Sequence, residues 1–196
     1  MKLAVLLLLF ATSCLAAPPA AAQKYRGPLT REAHFFAGLD APIPMYAGQI
    51  EQESGWRPEV TSYDNGKGLA QFTGGTTDYV GVLFPELGKS NPYNPVWSMR
   101  AMIRYDQYLF ERVRGIDDCQ RRAASLTAYN GGLGYVIQRE AASPASAVWF
   151  GVTEFVPTRQ SKQNWEASRM YPRRVLLMRQ KNYEGWGMYL CKEIVP

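Results

Sequence analysis

The chain has 196 residues, of which 46% are hydrophobic and 13% aromatic. That supplies a real core for one domain of ordinary size plus an extension, and it excludes an intrinsically disordered chain. The formal net charge of +5 suits an anionic partner surface, either wall polymer or nucleic acid, but no nucleic-acid recognition motif occurs.

Met1-Lys2 precedes the apolar run Leu3 to Phe10 and then small residues. This is the pattern of a secretory signal, with cleavage after Ala17 or Ala22, and the run is too short to span a bilayer as a stable helix. Lipid attachment at Cys14 is a second reading, disfavoured by Ala11 three residues before it; an uncleaved anchor is a third. Export argues against a nucleic-acid partner. Residues 1–22 are therefore expected to be a signal and residues 23–39 an N-terminal extension, with residues 18–28 a short flexible lead-in.

A helix is expected from Thr30 to Leu39, broken by Pro42. Pro44 fits the first turn of a second helix that ends near Glu53, where Gly55 offers a stop. From Trp56 to Gly75 the chain is turn-rich, with Asp64-Asn65-Gly66 as a strong turn signal. This stretch reads as a hairpin or an irregular loop, and its turn residues favour the loop. A short helix is expected over Thr77 to Phe84. Asn94-Pro95 reads as an N-cap followed by Pro at the first helical position, opening a long helix over Val96 to Val113. A further helix runs from about Asp118 to Tyr129 and closes at Asn130-Gly131-Gly132. A short one follows over Tyr135 to Glu140. Residues 141–166 read as a long loop or an inserted excursion. The last helix spans about Ser168 to Tyr183, with Pro172 in its first turn unless the helix starts later. No repeat, coiled coil or strand alternation occurs, so the fold class is mainly α.

Two carboxylates, Glu51 and Glu53, stand two residues apart on the second helix. Helical neighbours on one face are three or four apart, so at most one of the pair faces a given cleft. Glu53 lies at the helix C-terminal end, where the dipole disfavours negative charge and raises a carboxyl pKa, as a general acid requires. Glu51 then points elsewhere, and its removal should cost little. With the signal gone, Cys119 and Cys191 remain, and an even pair in an exported protein suggests one disulfide. No metal-binding signature is present: His34 is the only histidine and reads as an ordinary surface or packing residue. The five tryptophans Trp56, Trp97, Trp149, Trp165 and Trp186 are expected in the core, and Lys162, Arg173 and Arg174 on a solvated face.

Four stretches occur in order: Glu53-Ser54, Gly68-Leu69-Ala70-Gln71, Ala128-Tyr129-Asn130-Gly131 and Tyr171-Pro172-Arg173-Arg174-Val175-Leu176. In this order and spacing they resemble the catalytic domain of soluble-type lytic transglycosylases, over about residues 40–185. The resemblance implies a lysozyme-like helical domain over residues 40–190, similar to goose-type lysozyme, with an active-site cleft and irregular loops. It implies that Glu53 is the single catalytic acid and base. Ser54 would position the glutamate or the substrate's N-acetyl group, Gly68 and Gln71 would belong to the cleft loop, and Tyr129, Asn130 and Tyr171 would line the site. The partner would be peptidoglycan glycan strands, cut by a monomer in the periplasm or at the cell wall, with no cofactor and no stable membrane insertion. Ala70, where that family often has Met, Pro172, and the length of residues 132–168 depart from the pattern. Two rivals remain. A hydrolase would need a second carboxylate, for which Asp64 and Asp78 are nearest, Asp64 being discounted because it sits in a turn. The other is a non-catalytic wall-binding module.

Overall fold

The computed structural model describes residues 17–194; most of the expected signal, Cys14 included, lies outside the described residues. The helices are α1 (Ala20–Gln23), α2 (Arg26–Ala37), α3 (Ile43–Ser54), α4 (Gly74–Leu83), α5 (Pro95–Phe110), α6 (Asp118–Gly131), α7 (Leu133–Ala142) and α8 (Lys162–Pro172). Helix α8 continues into a widened π turn over Arg173–Arg179 and a tightened 3-10 stretch over Gln180–Trp186. Among the described residues the only β pairing is two isolated bridges, Thr61 with Lys67 and Lys67 with Phe72, so residues 56–73 form a loop rather than a hairpin. The mainly α class stands.

Local chemistry sets the helix ends. The Asn94 side chain accepts from the Trp97 N–H at 3.0 Å, with Pro95 at the first helical position of α5. Asp117 caps α6 through the Gln120 N–H at 2.8 Å, and Thr73 caps α4. Each satisfies a backbone donor that a helix start leaves unpaired. Capping by Thr73 moves the start of α4 back to Gly74 from the expected Thr77. Helix α2 starts at Arg26 rather than Thr30, because Pro28 falls in the first turn, where its missing N–H costs nothing.

Helix α3 is the central element, packed against the C-terminal helical run, while α6 packs on α8, α5 and α7, and α2 lies on α5. Tyr46, Ala47 and Ile50 of α3 are wholly buried with Met99, Met102 and Ile103 of α5, and with Val175 and Leu176. Gly48 allows the close crossing: a Cβ there would sit 2.8 Å from the Gln180 nitrogen.

Three expectations are corrected. Residues 18–28 are not a free lead-in. Ala22 is fully buried, Tyr25 stacks on Trp56 with ring centroids 5.8 Å apart, and Arg26 donates to the Gly185 carbonyl at 3.0 Å. Residues 23–39 thus share the core of residues 40–190. Residues 143–161 are not an excursion either. The Gln120 side-chain oxygen Oε1 accepts from the N–H groups of Trp149 and Phe150, each at 2.8 Å. Buried Glu154 pairs with Arg173 at 2.7 Å, which removes Arg173 from the solvated face assigned to it. Buried Arg139 donates both to the Glu154 carbonyl at 3.3 Å and to Ser168 Oγ at 3.0 Å, tying the same segment to α8. Finally, Pro172 lies inside a continuous helical run that begins at Lys162. Proline has no N–H to return to the preceding turn, and the chain accommodates this by widening directly after it. Cys119 and Cys191 form a disulfide with Cα atoms 5.0 Å apart, joining α6 to the chain's end. Four tryptophans are buried, and Trp165 is partly so.

Candidate active site

A cleft of about 250 Å3 opens beside the C-terminal end of α3. Glu53, Gln71, Tyr129 and Asn130, all picked out from sequence, line it together with Ser62, Asp64, Phe72, Thr73 and Thr76. Glu53 reaches it because Gly55 turns the chain off the helix in the left-handed region, φ 59°, its N–H returning to the Glu51 carbonyl. Trp56 and Gln71 are also left-handed, at φ 65° and 51°. Such residues persist only where surrounding contacts hold them, and they gather at functional sites. Here Gln71 donates to the Gly68 carbonyl at 2.7 Å. Gly68 is required for a backbone reason: at φ +69° its missing Cβ would fall 1.8 Å from the Pro92 carbonyl oxygen. It therefore folds the loop against residues 91–94 rather than opening room for a ligand. Ala70 is pinned from both sides, its N–H donating to Ser98 Oγ at 3.0 Å and its carbonyl accepting from the Tyr129 hydroxyl at 2.7 Å.

The Tyr171 hydroxyl donates to Glu53 Oε1, and its ring stacks on that of Tyr129, centroids 6.2 Å apart and planes at 12°. Burial holds both phenols well above their ordinary pKa, so each remains a donor. Tyr171 reaches the acid from the residue before Pro172, at the edge of the widened turn; the departure from the expected motif is thus part of how the tyrosine is placed. Burial pushes the Glu53 pKa up to about 8, opposed by the Tyr171 hydrogen bond and reinforced by the charges of Asp106 and Asp64. Loss of hydration, ahead of the helix-end effect, is the physical cause. Glu53 thus holds a proton at neutral pH. Tyr171 occupies Oε1, which leaves Oε2 for that proton.

Not every residue picked out from sequence reaches the cleft. Ser54 is buried, and its hydroxyl turns back to donate to the Ile50 carbonyl at 3.2 Å. Asp78 is exposed on α4 away from the cleft, whereas Asp64, discounted as a turn residue, lines it and accepts from Ser62 Oγ. Ser62, Phe72, Thr73 and Thr76 escaped sequence reasoning. Thr73-Gly74-Gly75 was legible as a turn, and reading Thr73 as a helix cap would have placed that wall. Among the described residues no group of three or more His, Cys, Asp or Glu side chains is placed to hold a metal ion.

Fold and site together define an all-helical domain that presents one proton-bearing carboxyl to an open, polar cleft. The chain belongs to the transglycosylase SLT domain family, whose sequence profile matches residues 44–149. It is 27% identical over 158 residues to the membrane-bound lytic murein transglycosylase F of Shewanella halifaxensis, an alignment covering 69% of this chain and 31% of that protein. It is 31% identical over 127 residues to the protein of the same name from Pseudomonas putida, covering 61% of this chain and 24% of that one. The matched part of the chain thus spans 24–31% of the length of these relatives. In fold it is similar to the 70-kDa soluble lytic transglycosylase of Escherichia coli, with a TM-score of 0.58, 21% identity, and coverage of 83% of this chain and 25% of that one. The likeness extends to the complex of the 70-kDa enzyme with bulgecin A, at a TM-score of 0.60 and 20% identity over 86% of this chain and 25% of that one.

Proposed function

We propose that this domain is a lytic transglycosylase that cuts the β-1,4 bond between N-acetylmuramic acid and N-acetylglucosamine in peptidoglycan. The observation that carries the reading is Glu53, a cleft-lining carboxyl that accepts a hydrogen bond from the Tyr171 hydroxyl and whose pKa is raised by burial. Glu53 protonates the glycosidic oxygen. The substrate's own acetamide stabilises the cationic centre, so no second carboxylate is required. Glu53, now a carboxylate, takes the proton from the sugar's C6 hydroxyl as that oxygen attacks C1, closing a 1,6-anhydro ring. Positioning lets the hydroxyl outcompete water. Gln71 and Asn130 offer donors and acceptors to sugar hydroxyls and acetamides. The test is digestion of purified peptidoglycan with mass spectrometry of the products: the transglycosylase reaction adds no water, and hydrolysis adds one.

Asp64 in the same cleft supports a second reading, hydrolysis of the same bond with Asp64 activating water. Products one water heavier would establish it.

We further infer that the protein is exported, acts at the cell wall or in the periplasm as a monomer, and works without a cofactor. The apolar start of the chain supports export, and the disulfide fits an oxidising compartment. No helix among the described residues is long and apolar enough to cross a membrane. The burial of Ala22 supports cleavage after Ala17 over cleavage after Ala22, because the later cut would free a residue packed in the core. Intact mass of the secreted protein distinguishes these cuts, and a lipidated Cys14 at the new N-terminus would establish the lipid-attachment reading instead.

A further inference from the structure

Beneath Glu53 lies a second buried carboxyl that the proposed chemistry does not use. Asp106 sits on α5 with 1% of its surface exposed, facing Gln49 of α3. Gln49 is itself fully buried and stands one helical turn before Glu53. The Gln49 Nε2 amide donates to Asp106 Oδ1 at 3.3 Å. The other two atoms of the pair, Asp106 Oδ2 and Gln49 Oε1, are buried and have no donor. Two buried acceptors on a pair of groups already joined by one hydrogen bond cost free energy unless a hydrogen reaches them. A carboxylic acid supplies that hydrogen. An acid and a primary amide then make a two-bond ring: amide N–H to Oδ1, and Oδ2–H to the amide oxygen.

We propose that Asp106 is a protonated carboxylic acid in the folded protein, closed into such a ring with Gln49, and that it acts as a positioning residue that sets the pH range over which Glu53 works. The alternative, an ionised Asp106 paired with a cation, lacks a partner. Arg122 on α6 is the one cation whose field reaches it, but it forms no ion pair with Asp106; its guanidinium donates to Gln107 Oε1 at 3.2 Å and lies over the Phe110 ring. The other titratable groups facing Asp106 are phenols or acids: Tyr46 and Glu53 of α3, Tyr105 of its own helix, Tyr129 of α6 and Tyr171 of α8. None supplies positive charge. Burial pushes the Asp106 pKa up to about 7, in line with this geometry.

Two consequences follow from the direction of that shift. An acid whose folded pKa lies above its unfolded one stabilises the fold fully below the unfolded value, and that stability is lost as pH rises through the folded value. The stability tied to Asp106 is therefore lost from about pH 4 to beyond about pH 7. Above that range the new charge raises the grip of Glu53 on its own proton, which extends acid catalysis to higher pH. This second consequence rests on the function proposed above; the protonation of Asp106 does not.

The experiment is Asp106→Asn, which reproduces the shape and the two hydrogen bonds of the neutral acid but cannot ionise. Infrared spectroscopy of the parent at pH 5.5 (roughly midway between the two pKa values) should show a hydrogen-bonded carboxylic-acid C=O band in addition to that of Glu53, and Asp106→Asn should remove it. The variant's melting temperature should fall less steeply with pH between about pH 5 and 8 than the parent's. In the muropeptide assay its alkaline limb should move to lower pH. An unchanged band, with a melting curve lowered at every pH as far as in Asp106→Ala, would overturn the proposal. Should Asp106→Asn fail to fold, Gln49→Leu serves instead. Loss of the amide should shift the Asp106 band to the higher frequency of an unbonded acid, and an unmoved band would overturn the proposal. A parent that releases no anhydro-muropeptides defeats the function, while the band still decides the state of Asp106.

Discussion

Glu51 and Glu53 leave the same turn of α3 and enter opposite environments. Glu51 faces the C-terminal run, where its carboxylate accepts from Arg179 at 2.7 Å, from Asn182 at 3.0 Å and from the Tyr183 hydroxyl at 2.6 Å. Tyr183 in turn accepts from the Trp56 indole at 2.6 Å, and Trp56 carries the stacked Tyr25. Glu53 faces Tyr171, Tyr129 and the cleft, with no cation bonded to it. One carboxylate is saturated with donors, a cation among them, and holds the helix to its neighbour; the other meets the Tyr171 hydroxyl alone and keeps a proton. Identical side chains two residues apart become a clamp and an acid because neighbouring helices, rather than the glutamates themselves, decide which groups meet them.

The sharpest way to break this contrast is to neutralise both glutamates. Glu53→Gln should cost ~10²–10⁴ or more in the rate of muropeptide release, since one residue serves as acid and then base. Its effect on folding depends on pH. The folded pKa of about 8 lies above the ordinary value of 4.5, so the stability Glu53 contributes is lost as pH rises through about 8. The variant should melt near the parent below about pH 4.5, where Glu53 is protonated in the folded and unfolded chain alike, and increasingly above it as pH rises toward about 8. Removing the disulfide with Cys119→Ser and Cys191→Ser should cost ~4 kcal/mol by the loop-entropy account in denaturant unfolding. The bridge anchors the end of the run that Glu51 grips, so the loss should fall on stability and leave the chemistry of the folded fraction unchanged. Glu51→Ala should destabilise by ~1.5–3 kcal/mol, since it strips a charged acceptor from several donors. The exposure of Arg179 screens part of that gain, which puts the loss toward the lower figure. The sequence argued that loss of Glu51 matters little; its contacts with Arg179, Asn182 and Tyr183 instead predict a loss of stability. Tyr171→Phe should lower activity ~10-fold, the worth of one hydrogen bond to a charged group. It should also move the Glu53 limb to higher pH, because that hydrogen bond favours the ionised form.

The sequence displayed the helices wherever caps and periodicity agreed: Asn94-Pro95 opened α5 one residue from its expected start, and Gly131-Gly132 closed α6 as read. It displayed Glu53, Gln71, Tyr129, Asn130 and Tyr171 because an ordered set of short motifs carries more information than any member alone. Residues 143–161 were illegible for a physical reason. Their order comes from buried polar contacts made by Gln120, Arg139, Glu154 and Arg173, which lie far apart in the chain and leave no periodic trace. Pro172 misled because this helix accommodates its proline by widening the next turn, a response that residue type alone does not announce. Asp106 was hidden among the polar residues of an amphipathic helix, since its buried partner Gln49 lies 57 residues away in the chain.

The central claim is that burial, against the pull of Tyr171, keeps Glu53 protonated at neutral pH while Glu51 is committed to its clamp. Carboxyl carbon NMR of protein labelled at glutamate, assigned with Glu53→Gln and titrated from acid to alkaline pH, measures this directly. The account predicts a Glu53 midpoint near 8, against the ordinary 4.5 of a free glutamate. A Glu53 carboxyl that titrates near 4.5 would contradict it, since the residue could not then enter the reaction as the acid.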